Sequence, residues 1–152
     1  MTKTNTQAVA ASADLVDITA FDMVGACAVG HPATLRNPDG SLTGITLIVR
    51  GTFAPEVVAW NSGVAEKFLN EQRAAQRRGK AAKVKTLDEI EAQNIEGAVV
   101  RVADWQGVRQ PFSADQLRAA LKRNPHWTAQ IVEESESLGN FGTTSESSSE
   151  TT

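Results

Sequence analysis

The stretch Ile45-Thr-Leu-Ile-Val-Arg-Gly-Thr-Phe-Ala-Pro-Glu-Val-Val-Ala-Trp60 decides the fold class, because the period of its apolar residues changes within it. Residues 45–50 are β-branched and apolar and read as the clearest strand of the chain, ended by Gly51. From Pro55 onward, Val57, Trp60, Val64 and Phe68 recur at spacings of three and four, which describes one apolar face of a helix. Pro55 suits the first helical turn, where its missing N–H costs nothing. Upstream, Asn37-Pro-Asp-Gly40 is a turn signal, since Pro presets φ and Gly tolerates a positive one. Residues 26–35 carry a Gly-His-Pro interruption and suit a short or edge strand. Residues 15–53 therefore read as β throughout.

Downstream, the helix turns basic from Lys67 and is expected to end at Gly79, with a linker over 80–85. Thr86-Leu-Asp-Glu89 is a capping box, in which hydroxyl and carboxylate satisfy orphan N–H groups reciprocally. The helix it opens carries Ile95, Val99 and Val102 on one side and is expected to stop near Trp105-Gln-Gly107. Ser113-Ala-Asp-Gln116 is a second such box, opening a short helix with Leu117, Ala120 and Leu121 inward. Asn124-Pro125 ends that helix and starts the last, with Trp127, Ile131 and Leu138 inward and Gly139-Asn140 as its C-cap. The sum is an α+β fold: a small N-terminal antiparallel β segment followed by about four α-helices. In domain terms, 1–13 is a flexible arm and 14–141 a single α+β domain, with its β part over 14–53 and its helical part over 55–141. Residues 142–152 hold only Gly, Thr, Ser and Glu, which cannot offset the entropy of ordering, so a disordered tail is expected.

Composition narrows the function classes. Of 152 residues, 41% are hydrophobic but only 5% aromatic, so a core is available and must be built from Val, Ile, Leu and Ala. Net charge is −3, which leaves no global footprint for nucleic acid. No window reaches the roughly 18–20 apolar residues of a membrane span. The N-terminus lacks a signal-peptide apolar region, and Cys27 is alone, so a reducing cytoplasm is the expected setting.

Catalytic and metal motifs are missing from the sequence: no phosphate loop, dinucleotide fingerprint, nucleophile elbow or H-E-x-x-H pair. His31 sits in a Gly-His-Pro turn and His126 in a helix start, both ordinary structural positions. Cys27 lies among small apolar residues and reads as a buried thiol rather than an activated one. Asp88, Glu89 and Glu91 fall in a first helical turn, where the helix dipole favours negative charge. No metal or cofactor is expected, and no enzyme.

Charge is uneven along the chain. Residues 66–85 hold seven basic side chains against Glu66 and Glu71, whereas residues 133–152 hold five glutamates and no base. The basic run is open to three readings: a solvated helix end, a contact between proteins including head-to-tail contact between copies, or a nucleic-acid patch. It has no aromatic over 69–86 to stack on a base, which argues against single-strand binding. Arg73, Arg77, Arg78 and Lys80 are accordingly candidate partner contacts. Trp105 joins them: at the end of its expected helix it either plugs a junction or is offered to a partner.

Trp105 and Gly107, then Pro111-Phe112-Ser113, then Leu117 and Leu121, then Asn124-Pro125, Ile131 and Asn140-Phe141 together resemble the tail assembly chaperones of long-tailed bacteriophages. The Asn-Pro-Asp-Gly turn and the strand after it are similar to the β segment of those proteins, so the resemblance spans about residues 34–141. The basic run at 73–85 is longer than that pattern. The resemblance implies a non-enzymatic chaperone that binds and solubilises the tape measure protein and helps gather tail tube subunits in the host cytoplasm, absent from the mature virion. It also implies self-association and a longer frameshifted product. Phe141, read as exposed, is a further candidate partner contact. Runner-up readings are a virion structural protein of the tail or head–tail junction and a small nucleic-acid-binding regulator.

Overall fold

A computed structural model describes residues 14–142; the expected arm over 1–13 and all but the first residue of the expected tail lie outside the described residues. Three strands, β1 (His31–Arg36), β2 (Leu42–Val49) and β3 (Val102–Gln106), form one antiparallel sheet in that order. Five helices accompany them among the described residues: α1 (Met23–Val29), α2 (Pro55–Arg78), α3 (Leu87–Val100), α4 (Ala114–Arg123) and α5 (Pro125–Glu136). The α+β class is as expected, and the order of elements is corrected in two places.

The first correction lies upstream of β1. Residues 15–53 are not all β: a 3-10 turn spans Ile18–Ala20, and Met23–Val29 is helical, with Asp22 Oδ1 accepting from the Gly25 N–H at 2.8 Å. Small residues let this short helix press on the chain after β2, and Gly30, at φ +94°, turns it into β1. Pro32 is tolerated because β1 is an edge strand. The Asn37–Gly40 turn forms as expected, with the Asn37 N–H bonded to the Ser41 carbonyl and Gly40 at φ +91°.

The second correction is β3. The helix opened by Thr86 stops at Val100, and residues 102–106 pair with β2, Leu47 opposite Trp105. Arginines occupy the switch from helix to strand. The Arg101 guanidinium donates to the Gly97 carbonyl at 2.7 Å, and Arg50 reaches the carbonyls of Val100 and Val102 at 2.8 and 3.2 Å. The Gly97 and Val100 carbonyls belong to the helix end, where positive charge is favoured by the dipole, and the Val102 carbonyl opens β3.

Three of the remaining helix limits follow their signals. Gly79 ends α2 in the left-handed conformation, Ser113 caps α4 through the Gln116 N–H, and Pro125 opens α5. Gly139-Asn140 is not the α5 C-cap; that helix ends at Glu136 with Ser137, and Leu138–Asn140 is a separate 3-10 turn. The Thr86–Glu89 capping box is complete. Backbone and side-chain hydrogen bonds from Thr86 hold the Glu89 carboxyl below the ordinary glutamate range, with Lys83 and Lys85 adding to them. A depressed folded pKa means stability present above the unfolded value and lost as the pH falls through the folded one. Glu89→Gln is therefore expected to flatten part of the loss of α3 helicity between about pH 5 and about pH 3, measured by circular dichroism against the parent chain.

The main core lies between the sheet and α3–α5, built from Leu35, Leu47, Val49, Ile95, Val102, Leu117, Leu121 and Ile131. A second cluster joins α1 and the start of α2 to the segment after α5 through Cys27, Ala54, Val57 and Phe141. Cys27 is buried, as its neighbours implied.

Candidate partner-binding site

Two concave surfaces and one helix face stand out. The first is a groove of about 340 Å³ between the sheet and α4. It is lined by Leu35, Ile45 and Leu47 from the sheet, Leu117 and Ala120 from α4, and the indoles of Trp105 and Trp127. Trp105 sits on β3, not at a helix end, and it meets Phe112 edge-on at 5.1 Å. Its indole N–H donates to the Gln110 carbonyl at 2.8 Å, while the Trp127 N–H donates to the Arg36 carbonyl at 3.2 Å. Both indoles thus have their polar edges satisfied within the chain and turn ring surface to the groove. All three tryptophans are half-buried, Trp105 and Trp127 packing against the main core.

The second is a cleft of about 580 Å³ between α2, the 80–85 linker and α3. Trp60 lies at its base against Gly97, where an added Cβ would come within 2.9 Å of the indole ring. Lys67, Arg78, Lys83 and Lys85 line it together with Glu71, Glu89 and Glu96. The cations and acids nearly cancel, Lys85 binds Gln93, and Glu96 pairs with Arg118 across to α4. The cleft is a mixed-charge surface rather than a polyanion site.

The basic run does not form one face. Arg73, Arg77, Arg78 and Lys80 are all exposed, but the 100° per residue of a helix turns Arg78 toward the cleft and Arg73 and Arg77 away from it.

The third surface is α2 itself. Over its 24 residues only Val57 and Ala75 are buried. Phe68, expected on the buried face, is 54% exposed and Leu69 is 50% exposed. With Val58 and Ala65 they make an apolar stripe beside the buried line, on the side of the helix away from the cleft. The apolar residues of α2 thus exceed what α1 and α3 cover.

Phe141 is corrected outright as an exposed partner contact. It is 3% exposed, packed in the second cluster, with the His31 ring edge-on at 5.9 Å. His31 Nε2 stands 3.9 Å from Glu134, and His126 tilts against Trp127. Among the described residues no three His, Cys, Asp or Glu side chains converge as metal ligands, and no helix is long and apolar enough to cross a membrane. No family model, curated protein or solved structure matches this chain.

Proposed function

We propose that this chain is a non-enzymatic tail assembly chaperone that binds and solubilises the tape measure protein and helps recruit tail tube subunits. The observation that supports this reading is the apolar stripe of α2, Val58, Ala65, Phe68 and Leu69, on a helix about 36 Å long. An exposed apolar helix face beside charged residues pairs with another amphipathic helix, and a long helical filament offers many such registers. Arg73, Arg77 and Lys80 near the end of α2 add a salt-sensitive component that steers encounter more than it holds the complex.

The test is co-expression with the tape measure protein of the same genome, followed by pull-down at low and high salt. Capture that resists salt and keeps the long protein soluble is expected. Phe68→Asp with Leu69→Asp removes two contacts of about 2 kcal/mol each and is expected to weaken capture by a hundredfold or more. Absence of capture, with the chain present at fixed stoichiometry in purified particles, would replace this reading by that of a virion structural protein.

A further inference from the structure

The exposed apolar residues are not confined to α2. Leu15, Val16, Ile18 and Phe21 are 71, 72, 83 and 53% exposed, in a segment that also carries Asp14, Asp17 and Asp22. No Lys or Arg occurs between Lys3 and Arg36, so this stretch is acidic as well as apolar. Asp17 and Asp22 are engaged as caps of the turns that follow them, which leaves Asp14 outermost. Its chemistry is the complement of the Trp105–Trp127 groove. That groove is lined by aliphatic side chains, both its indole N–H groups are already used, and Arg123 is its only charged lining residue. Arg123 makes no ion pair among the described residues, and Lys122 stands next to it on α4.

We propose that residues 14–22 of one copy dock in the Trp105–Trp127 groove of a second copy, with Leu15 and Ile18 on the half-buried Trp105, Trp127, Ile45 and Val108 and Asp14 against Arg123. Within one chain the segment leads into α1 and the second apolar cluster, whereas the groove opens on the main core, so donor and acceptor are different patches of the surface. A contact between unlike patches repeats from copy to copy, giving a ring if the rotation closes and an open helical array if it does not. Association between copies can be followed with this chain alone.

The full-length chain is followed by sedimentation velocity over a concentration series, with circular dichroism to confirm the fold of each variant. Self-association is expected. Ile18→Asp and Arg123→Glu, both at exposed or rim positions, are each expected to weaken it by about tenfold or more. Asp14→Arg is expected to weaken it on its own and to restore association when mixed with Arg123→Glu. A parent chain that stays monomeric at every concentration would overturn the proposal. So would association indifferent to both Ile18→Asp and Arg123→Glu, or a mixture that fails to recover. If Arg123→Glu abolished capture of the tape measure protein and left self-association intact, the groove would belong to that partner instead of a second copy.

Discussion

Gly107→Ala is expected to destabilise the chain by about 3 kcal/mol or more, read as a fall in the urea midpoint. Gly107 has φ +78°, and a Cβ there would stand 2.2 Å from the carbonyl oxygen of Gly44. Two costs combine. The left-handed conformation penalises any L side chain by about 1–2 kcal/mol, and the contact is with backbone, which cannot rotate aside. Gly79 separates the two. It too has a positive φ, +70°, but nothing lies within 4 Å of its added Cβ. Gly79→Ala should therefore show the conformational cost alone, about 1 kcal/mol. The excess in Gly107→Ala measures how closely β3 leaves the sheet past β2. Equal losses in the two variants would mean that the Gly44–Gly107 approach, and with it the register of β3, is wrong.

That register is also where sequence reasoning ran past the helix. Ile95, Val99 and Val102 keep helical spacing, and all three are buried, yet Val102 belongs to a strand. The spacing survives because the first strand residue after Arg101 falls on the same core that α3 faces. Only Arg101 interrupts the apolar run, and an arginine there is not by itself a breaker. The elements with local punctuation were legible: Pro55 and Gly79 bound α2, Thr86 and Ser113 cap α3 and α4, and Pro125 opens α5. The short α1 was missed because Val24 and Val29 favour β, although Asp22 three residues before Gly25 carries the capping signal.

The surfaces were less legible than the elements. Trp105 stood out from its position, but the groove it closes depends on Leu35, Leu47 and Trp127, brought together by strand pairing that no spacing encodes. Phe141 was misplaced for the same reason. Its neighbours Cys27, Ala54 and Val57 lie more than eighty residues away in the chain, and nothing local distinguishes a buried anchor from an exposed aromatic. The basic run was visible as composition, yet its division between two sides of α2 required the helix phase.

Arg101→Ala is expected to cost about 4 kcal/mol, and the size depends on what replaces the arginine. The side chain is 6% exposed; its Nε donates to Ser135 Oγ at 3.1 Å and a terminal nitrogen donates to the Gly97 carbonyl. Burial lowers the affinity of this guanidinium for its proton, and the nearby Glu136 charge opposes that effect without forming an ion pair. Charging Arg101 in this setting is thus itself a cost, and its hydrogen bonds must outweigh it. Alanine relieves the desolvation but leaves a cavity, an orphaned helix-end carbonyl and a fully buried hydroxyl. Methionine fills most of the space, so Arg101→Met should cost about 2 kcal/mol, the cavity contribution being gone. Adding Ser135→Ala to Arg101→Met removes one of the two orphans and should restore about 1 kcal/mol, although Ser135→Ala alone is destabilising. That reversal of sign is the diagnostic result. Urea denaturation of the three variants, analysed as a double-mutant cycle, tests it directly. Strict additivity would mean that Arg101 holds the α3–β3 switch by its bulk, and that the bond to Ser135 contributes nothing to joining α5 to it.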